Sequence, residues 1–539
     1  MSDAAILEAA RGDARPAMPA RDAPSQSVMF AGLVLGLLLI YHANGDFLPG
    51  RDSVTNAWLP VVVLNDGQLA FRPSRMPYLF DWQLADTKEN LRFARWDQVL
   101  APSTPVTSTT GGEPQVGRSM ADLYRARKLV LRGPGYYLFP SKRVDGRTGE
   151  QLYANTFGPG AGLTALPVFA SVQLMARDLR AHPKLVWYAA KFTASLLVAL
   201  SAGLLYLTML RFTPPRIALL AALAYGLGTC VWSTSSQALW QHGPSEFWLA
   251  LALLFLARDS LAPLSAAAGG TALAMAVACR PTNAVVLAIM ALWLAVRDRR
   301  ALVALLVGAL PLGISLAAYN AIYLGSPFTF GQTEIAEKLA LHKCGAPGVW
   351  QTPLWLGAAG LLVSPGRGLL TYSPWLLLAL GGAVIAWREP RYALLRPLPF
   401  AALAMLAVHA KFYDWWGGWA FGYRPIVDAT VLLAPLAATA LAALTSEQVS
   451  TARRRLAWSA FALLVAWSIG VQTLGALAYD LAGWNGRVVD GVPQDIDRPE
   501  YRHRIWSWRD NPISFYATHF SASRAERARR VQAMCEQPG

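Results

Sequence analysis

Two carboxylates follow closely on the first apolar stretch of the chain. Asp46 comes a few residues after that stretch, and Asp52 follows directly on Arg51. A carboxylate at the boundary between membrane and water can serve as a general base, because partial desolvation raises its pKa towards the working range. A solvated loop acid, or a partner of Arg51, is the simpler interpretation of either residue taken alone. Asp46 and Asp52 are therefore candidate bases whose surroundings decide their role.

A second polar cluster, residues 411–425, interleaves aromatic side chains with glycines between Asp414 and Arg424. Aromatic residues are enriched at bilayer interfaces, but that tendency explains neither the glycines nor the two charges. Glycine lets the backbone approach a ligand closely, an aromatic wall stacks on a sugar or an isoprenoid, and arginine suits a phosphate. The pattern predicts that Asp414, Trp416, Trp419 and Arg424 contribute to a binding site.

Three further polar clusters fall at the predicted ends of apolar stretches. They are residues 233–243 with His242, residues 280–283 with Arg280, and residues 364–374 with Arg367. Arg367 interrupts an apolar stretch, where a cation is costly unless an anion or a carboxylate pairs with it. We predict that Arg280 and His242 bind substrate, although a neutral His242 that caps a helix end is the simpler alternative.

The composition places these residues in a membrane protein. Of the 539 residues, 54% are apolar and only 15% are charged, whereas soluble domains are about 25% charged. The same figures exclude a disordered chain and a collagen-like repeat, and four cysteines are too few for a small disulfide-rich protein. The formal net charge is nevertheless +15. An excess of this kind marks cytoplasmic loops or residues that hold an anionic ligand.

Apolar stretches of membrane-spanning length recur through the chain. The first is expected to be a retained signal anchor that leaves the polar N-terminus in the cytoplasm. Further stretches approach the ~20 residues that a bilayer requires and predict an all-α polytopic protein with about eleven transmembrane helices. They begin near Leu185, Ile217, Ser245, Pro263, Thr282, Ala301, Leu369, Pro397, Ile426 and Ala457.

Basic connections set the orientation of the predicted bundle. Residues 297–300, 388–396 and 453–455 are rich in arginine, which places them in the cytoplasm by the positive-inside rule. Residues 323–352 and 411–424 then lie outside, together with the tail. A long first loop also lies outside, and loops of that length are usually functional.

The predicted organisation has five parts. They are a cytoplasmic N-terminus (1–26), a first transmembrane helix (27–42), a first external loop with interfacial helices and a re-entrant segment (43–176), a transmembrane bundle (177–478) and an external C-terminal cap (479–539). The re-entrant segment, residues 158–176, is apolar but contains Pro159 and Pro167. A full crossing there would break the alternation of sides, so this segment is predicted to re-enter or to lie in the outer interface.

Two cysteines fall outside the membrane in this topology. An oxidising compartment permits a disulfide between Cys344 and Cys535, which would fasten the tail to an external loop. Two unpaired thiols explain the sequence equally well. No spacing of cysteine and histidine resembles a zinc site, so no metal ligands are predicted.

Taken together, these residues resemble the bacterial branch of the GT-C-type glycosyltransferases, multi-span enzymes that use polyprenyl-phosphate-linked sugars. The resemblance covers most of the chain and begins with one span followed at once by an acid and a long external loop. Residues 56–60 and 153–160 look like the loop helix and the Pro-Gly re-entry of that family. Residues 364–368 and 416–424 look like motifs that recur in its bacterial members.

The resemblance implies inverting transfer of a sugar from a polyprenyl-phosphate donor to a glycan, lipid or protein acceptor of the cell envelope. It implies a GT-C-like bundle in the bacterial cytoplasmic (inner) membrane, with the active site facing the periplasm. The base falls on Asp46, with Asp52 second, because the adjacent acidic pair common in the family is missing here. For the same reason, use of a divalent metal ion stays open. Arg424, Arg367 and Lys142 are the candidates for binding the donor phosphate.

A lipid or polysaccharide transporter (flippase) of the cell envelope is the alternative function. Transporters often show two related halves with broken helices in corresponding positions, and this chain shows no such symmetry. The tail is aromatic and mixed in charge, unlike an arm that binds nucleic acid, so the expected partners are the bilayer, the donor and the acceptor.

The resemblance predicts that Asp46→Asn abolishes sugar transfer and leaves folding intact. Transfer assays and thermal unfolding of the purified variants measure the two effects separately. If Asp52→Asn abolishes transfer and Asp46→Asn does not, the role of base moves to Asp52.

Overall fold

A computed structural model describes residues 25–85, 90–91, 93, 97–98, 118–257 and 261–536. These residues are predominantly helical. The α-helices are α1 Gln26–His42, α2 Arg51–Asp66, α3 Met120–Arg125, α4 Gly160–Ala176, α5 Pro183–Met209, α6 Pro215–Leu227, α7 His242–Leu256, α8 Pro263–Cys279, α9 Ala284–Arg297, α10 Arg299–Leu324, α11 Gly331–Cys344, α12 Leu354–Val363, α13 Leu369–Tyr372, α14 Leu378–Arg388, α15 Pro397–Lys411, α16 Ala429–Leu444, α17 Thr451–Ala478, α18 Pro512–Thr518 and α19 Phe520–Glu536. Short 3-10 helices lie at Pro77–Leu79, Leu179–Ala181, Pro281–Asn283, Pro374–Leu377, Pro390–Leu395, Arg424–Ile426 and Pro499–Trp506, and a π-helical turn at Val231–Ser235.

Four helices in the described part of the chain are long and apolar enough to cross a membrane. They are Pro183–Met209, Arg299–Leu324, Pro390–Lys411 and Thr451–Ala478. Shorter apolar helices of 10–17 residues accompany them. On α10, Val303, Val307 and Leu310 are each more than half exposed, a surface that suits lipid and not water. These features indicate a membrane protein.

Most of the predicted spans coincide with helices. The first predicted span matches α1, and the stretches predicted to begin near Leu185, Ala301 and Ala457 match α5, α10 and α17. The stretch near Leu369 does not form one helix, because Pro374 interrupts it after the four residues of α13. Since many of the apolar helices are shorter than the ~20 residues that span a bilayer, the number eleven stays a prediction.

The all-α prediction was wrong for the first loop. Strands β1 Ala70–Phe71, β5 Leu138–Val144 and β6 Gln151–Asn155 form one antiparallel sheet, in the order β1-β6-β5 with Ala70 opposite Ala154. A second antiparallel sheet has the order β3-β2-β4, from β2 Phe80–Leu84, β3 Asn90–Leu91 and β4 Leu129–Pro134. A hairpin, β7 Val488–Val489 with β8 Val492–Pro493, lies in the tail.

Helix α2 of the first loop is packed within protein, and the N-terminal part of α4 packs against it. In this loop, whose helices were predicted to be interfacial, residues 53–62 of α2 are all buried. Gly162 of α4 lies against Leu59 so closely that a Cβ on the glycine would overlap that side chain. The segment predicted to re-enter forms the continuous helix α4, with Pro167 inside it.

Segments predicted to lie on the same side of the membrane contact one another. At one end of the bundle the first loop meets the tail through Asp46 and Arg527. At the other end, the guanidinium of Arg216 lies 5.6 Å from the ring centre of Trp458, and Phe212 packs on Tyr392. The packing is therefore compatible with the sides of the membrane to which the basic connections assign these segments. The orientation in a membrane stays a prediction.

Small residues let α8 and α10 cross at close range. A Cβ on Gly270 would overlap the carbonyl oxygen of Leu305, and a Cβ on Gly308 would overlap that of Ala267. The hydroxyl of Thr271 donates to the carbonyl of Gly308 at 2.8 Å across this contact. Close backbone approach at small residues drives association of helices in lipid, where no hydrophobic force joins them.

Gly308→Val is expected to lower the stability of the purified protein by about 1–3 kcal/mol, because the added side chain overpacks the crossing of α8 and α10. Gly313→Val on the same helix is the matched control, since a Cβ there meets no atom within 4 Å. Thermal unfolding in detergent compares the two variants. Equal melting temperatures for both would contradict the tight crossing.

Candidate active site

A cleft lies where the first loop, the segment after α6, the aromatic loop 412–423 and the tail meet. About 320 Å³ of space, part of it open to solvent, lies between its walls. We call it the outer cleft, and its lining consists of Leu48, Ser233, Thr234, Gln237, Trp240, Trp419, Ala420, Phe421, Arg424, Tyr479, Leu481 and Arg527. The walls of the outer cleft thus consist largely of aromatic rings and carry two arginines.

Arg424 pairs with Asp52 at the edge of the outer cleft. Its Nη1 donates to Oδ2 of Asp52 at 2.7 Å, and its Nη2 donates to the carbonyl oxygen of Gly417 at 2.6 Å. The guanidinium lies 4.9 Å from the ring centre of Trp240. Trp240 can take this position because Gly50, which precedes α2, has no Cβ to meet its ring. The side chains of Arg424 and Asp52 keep 13% and 28% of their surface exposed.

Asp46 pairs with an arginine of the tail that the sequence did not suggest. Nε and Nη2 of Arg527 donate to Oδ1 of Asp46 at 3.0 and 2.6 Å, and Nε also donates to Oδ2 at 2.9 Å. The remaining donors of Arg527 go to the carbonyl of Tyr479 and to Oε1 of Gln237, both at 3.1 Å. Only 1% of the Arg527 side chain is exposed. This ion pair anchors helix α19 to Asp46, which lies shortly after the end of helix α1.

Gln237 joins these groups at the floor of the outer cleft. Its Oε1 accepts hydrogen bonds from Asn44 at 2.7 Å and from Lys191 at 3.1 Å, in addition to Arg527. Its amide nitrogen donates to the carbonyl of Trp232 at 2.8 Å, which fixes the orientation of the side chain. A single amide oxygen therefore connects the segment that follows α1 with α5 and α19.

Arg367 supports the aromatic loop from beneath and does not line the outer cleft. It is completely buried, and its guanidinium donates to the carbonyls of Trp416 and Gly418 and to Oδ1 of Asn485, at 2.9, 3.1 and 2.9 Å. Gly417 and Gly418 have positive φ, which glycine adopts without strain. The glycines of the loop are thus needed for its backbone, and Arg367 holds that backbone; its predicted contact with phosphate has no support in this geometry.

Acidic residues of the tail fasten the other side of the aromatic loop. Lys343 bridges Asp414 and Asp497 at 2.8 and 2.9 Å. Burial lowers the pKa of Lys343, but the two carboxylates outweigh that effect and hold it above its ordinary value. Trp416 is buried and donates to Asp497, whereas Trp419 is 37% exposed and donates to Asp495. Of the predicted substrate-binding residues in this loop, Trp419 is the one that lines the outer cleft.

Arg280 and His242 lie in a buried polar layer below the outer cleft. Nη1 of Arg280 donates to Asp428 at 2.6 Å, and Nη2 donates to the carbonyl of Pro425 at 2.9 Å. Nη2 also lies 3.4 Å from Nε2 of His409. His242 begins α7 and is buried. Arg280 thus holds the turn that carries Arg424, which is a positioning role.

Tyr137, which sequence reasoning did not single out, interacts electrostatically with Asp52 but does not line the outer cleft. Burial and the carboxylate of Asp52 raise the pKa of Tyr137 to about 12. Tyr137 therefore stays protonated at neutral pH and remains a hydrogen-bond donor. No pattern in the sequence around it sets it apart from the other tyrosines of the first loop.

Two predictions concern residues away from the outer cleft. Lys142 is exposed on β5, with its aliphatic chain beside Gly325 at the end of α10. Cys344 forms no disulfide with another described cysteine, and the side chain of Cys535 lies outside the described residues, so the disulfide stays a prediction. Among the residues that the structure describes, no group of three or more His, Cys, Asp or Glu side chains could hold a metal ion.

Asp46→Asn is expected to destabilise the docked tail, contrary to the effect predicted from the sequence. An asparagine cannot neutralise Arg527, and removing one partner of a buried ion pair costs about 3–5 kcal/mol. Limited proteolysis of the tail and thermal unfolding measure the loss. The double variant Asp46→Asn with Arg527→Met is expected to recover much of it, because no unpaired charge is left buried.

Arg529→Met is the matched control on the same helix, since Arg529 pairs with Glu526 at 2.8 Å and 74% of its side chain is exposed. A tail that stays as protease-resistant in Asp46→Asn as in the unchanged protein would contradict the anchoring role of the pair.

Comparison of the chain with models of known protein families and with curated proteins finds no match.

Proposed function

We propose that this protein is a membrane glycosyltransferase of the GT-C type, which moves a sugar from a polyprenyl-phosphate donor to a cell-envelope acceptor with inversion. The observation that carries the proposal is the Arg424–Asp52 pair above the ring of Trp240. The pair brings an arginine, a carboxylate and an aromatic ring together at one edge of one cleft. The arginine can bind the anionic leaving group, the carboxylate can accept the proton of the acceptor hydroxyl, and the aromatic ring can stack on a face of the sugar.

Arg424 is the candidate for the donor phosphate. In contrast to Arg527, whose side chain is 1% exposed, Arg424 keeps part of its side chain accessible from the outer cleft. Planar guanidinium groups bind phosphate with two parallel hydrogen bonds. In the transferase reaction the bond between the sugar and the phosphate oxygen breaks, and Arg424 stabilises the negative charge that develops on the departing phosphate.

Asp52 is favoured over Asp46 as the base. Both oxygens of Asp46 accept hydrogen bonds from Arg527, whereas only Oδ2 of Asp52 does so from Arg424 among the described contacts. Asp52 is also the more exposed of the two. A phosphate that takes over Nη1 of Arg424 would release Asp52 to accept the proton of the acceptor hydroxyl. Donor binding and activation of the base are then coupled.

The test is release of polyprenyl phosphate from a panel of polyprenyl-phosphate hexoses and pentoses by the full chain in proteoliposomes, with an envelope extract as the acceptor source. Asp52→Asn is expected to slow release by about 10²–10⁴-fold, the usual contribution of a general base. Arg424→Lys is expected to slow it by about 10²–10³-fold, as loss of an oxyanion donor does. Mass spectrometry of the lipid products measures both effects.

Asp122 and Arg125 provide the matched control, because they form the same kind of ion pair at 2.8 Å on an exposed helix of the first loop. Asp122→Asn and Arg125→Lys are expected to leave the rate unchanged. Full activity of both Asp52→Asn and Asp46→Asn, or no release from any donor, would sink the proposal. Movement of an intact donor across the bilayer without cleavage would mark a transporter.

A further inference from the structure

The turn that joins α4 to α5 exposes apolar and basic side chains side by side in the sequence. We call residues 174–188 the α4–α5 junction. Leu174 and Met175, at its start, are 88% and 82% exposed, and the side chains of Arg177 and Lys184 are exposed within the same short segment. Exposed apolar surface that is bordered by polar residues marks a site of interaction with a protein or a membrane.

Helix α5 relates the α4–α5 junction to the membrane. It is one of the described helices that are long and apolar enough to cross a bilayer, and Lys184 is its second residue. Tyr188 and Phe192 follow at intervals of four residues, which places all three on one face of the helix, and their side chains are 51% and 41% exposed. At the boundary between membrane and water, tyrosine is enriched and lysine extends its ammonium group towards the head groups. This order of residues fits a junction at the level of the lipid head groups.

The carboxylates beside the junction are engaged by Arg180 and leave the two exposed cations unpaired. Nε and Nη2 of Arg180 donate to Oδ1 and Oδ2 of Asp178, each at 3.0 Å, and its Nη1 lies 3.3 Å from Oδ1 of Asp66. Among the described residues, neither Arg177 nor Lys184 forms an ion pair or a side-chain hydrogen bond. The junction therefore presents two accessible positive charges that an external anion can bind.

The backbone of the α4–α5 junction is attached firmly to the first loop. Gln173, near the end of α4, donates to Oδ1 of Asn65 in α2 at 3.2 Å, and the N–H of Arg177 donates to the carbonyl of Gln173 at 2.8 Å. Leu179, between the two exposed cations, is completely buried. Since the backbone is already held in place, a ligand that binds here has little backbone to order, which lowers the cost of binding.

We propose that the α4–α5 junction binds the head groups of anionic phospholipids through Arg177 and Lys184, with their acyl chains along Leu174, Met175 and the exposed face of α5. Basic side chains at a membrane surface attract lipids with a net negative charge, and a zwitterionic lipid carries its own cation beside the phosphate. No residue of the junction lines the outer cleft, so this binding does not depend on sugar transfer.

The test is thermal unfolding of the full chain in an uncharged detergent, titrated with dioctanoyl-phosphatidylglycerol or with dioctanoyl-phosphatidylcholine. The two lipids have the same acyl chains and both contain a phosphate, but only phosphatidylglycerol has a net charge. Phosphatidylglycerol is expected to raise the melting temperature at lower concentrations than phosphatidylcholine does, and added salt is expected to reduce this preference because it screens exposed charges. Equal responses to the two lipids, or a preference that salt leaves unchanged, would overturn the proposal.

Charge-removing variants locate the effect. Arg177→Gln and Lys184→Gln are each expected to raise the phosphatidylglycerol concentration that gives half of the shift by about 5-fold, and the double variant by about 30-fold, the usual contribution of basic residues at a membrane surface. Both side chains are exposed and unpaired, so the melting temperature without lipid is expected to stay unchanged.

The matched control is the double variant Arg143→Gln with Arg147→Gln, which removes two exposed arginines at the end of β5 and in the turn that follows it. It changes the net charge by the same amount and is expected to keep the full response to phosphatidylglycerol. An undiminished response in the double variant of Arg177 and Lys184, or an equal loss in the control, would refute the site.

Discussion

The cations buried near the outer cleft need hydrogen-bond acceptors. The position of each acceptor in the chain decides which segments pack around the cation. Arg527 takes a carboxylate of the first loop, Arg280 takes Asp428, and Arg367 takes carbonyl and amide oxygens. Each pairing joins elements far apart in the chain, so the cost of burying charge becomes a restraint on the fold. Among the described residues, the buried amine of Lys191 has a single hydrogen-bond partner, Oε1 of Gln237.

The same constraint separates structural arginines from those available for chemistry. Arg367 and Arg527 use their donors within the protein and hold the aromatic loop and the tail in place. The side chain of Arg424 is partly exposed, and its ion pair with Asp52 lies at the edge of the outer cleft. A phosphate can compete more readily for a partly exposed arginine that bonds one carboxylate oxygen than for a fully buried arginine with a bidentate carboxylate or several backbone acceptors. The tail, fastened by Asp46 and Lys343, contributes Tyr479, Leu481 and Arg527 to the walls of the same cleft.

Sequence reasoning predicted most of the apolar helices and singled out Arg424 and Trp419, which line the outer cleft, because apolar runs and unusual polar clusters are local signals. It singled out both Asp52 and Arg424, but their pairing joins positions 372 residues apart, and no local pattern reports such a contact. Arg527 was missed because it lies in a polar helix among several other arginines. The cost of burying Arg367 was recognised, yet its acceptors proved to be backbone carbonyls and an amide, which no charge pattern reveals. The short strands of the first loop have too few residues for a clear alternation.

The most direct test of the central claim is an experimental structure of the full chain with a polyprenyl phosphate bound. We expect the phosphate within hydrogen-bond distance of Arg424, with Oδ2 of Asp52 displaced from Nη1 of that arginine and the Asp46–Arg527 pair intact. A phosphate bound outside the outer cleft, with the Arg424–Asp52 pair undisturbed, would contradict the assignment of this site to sugar transfer.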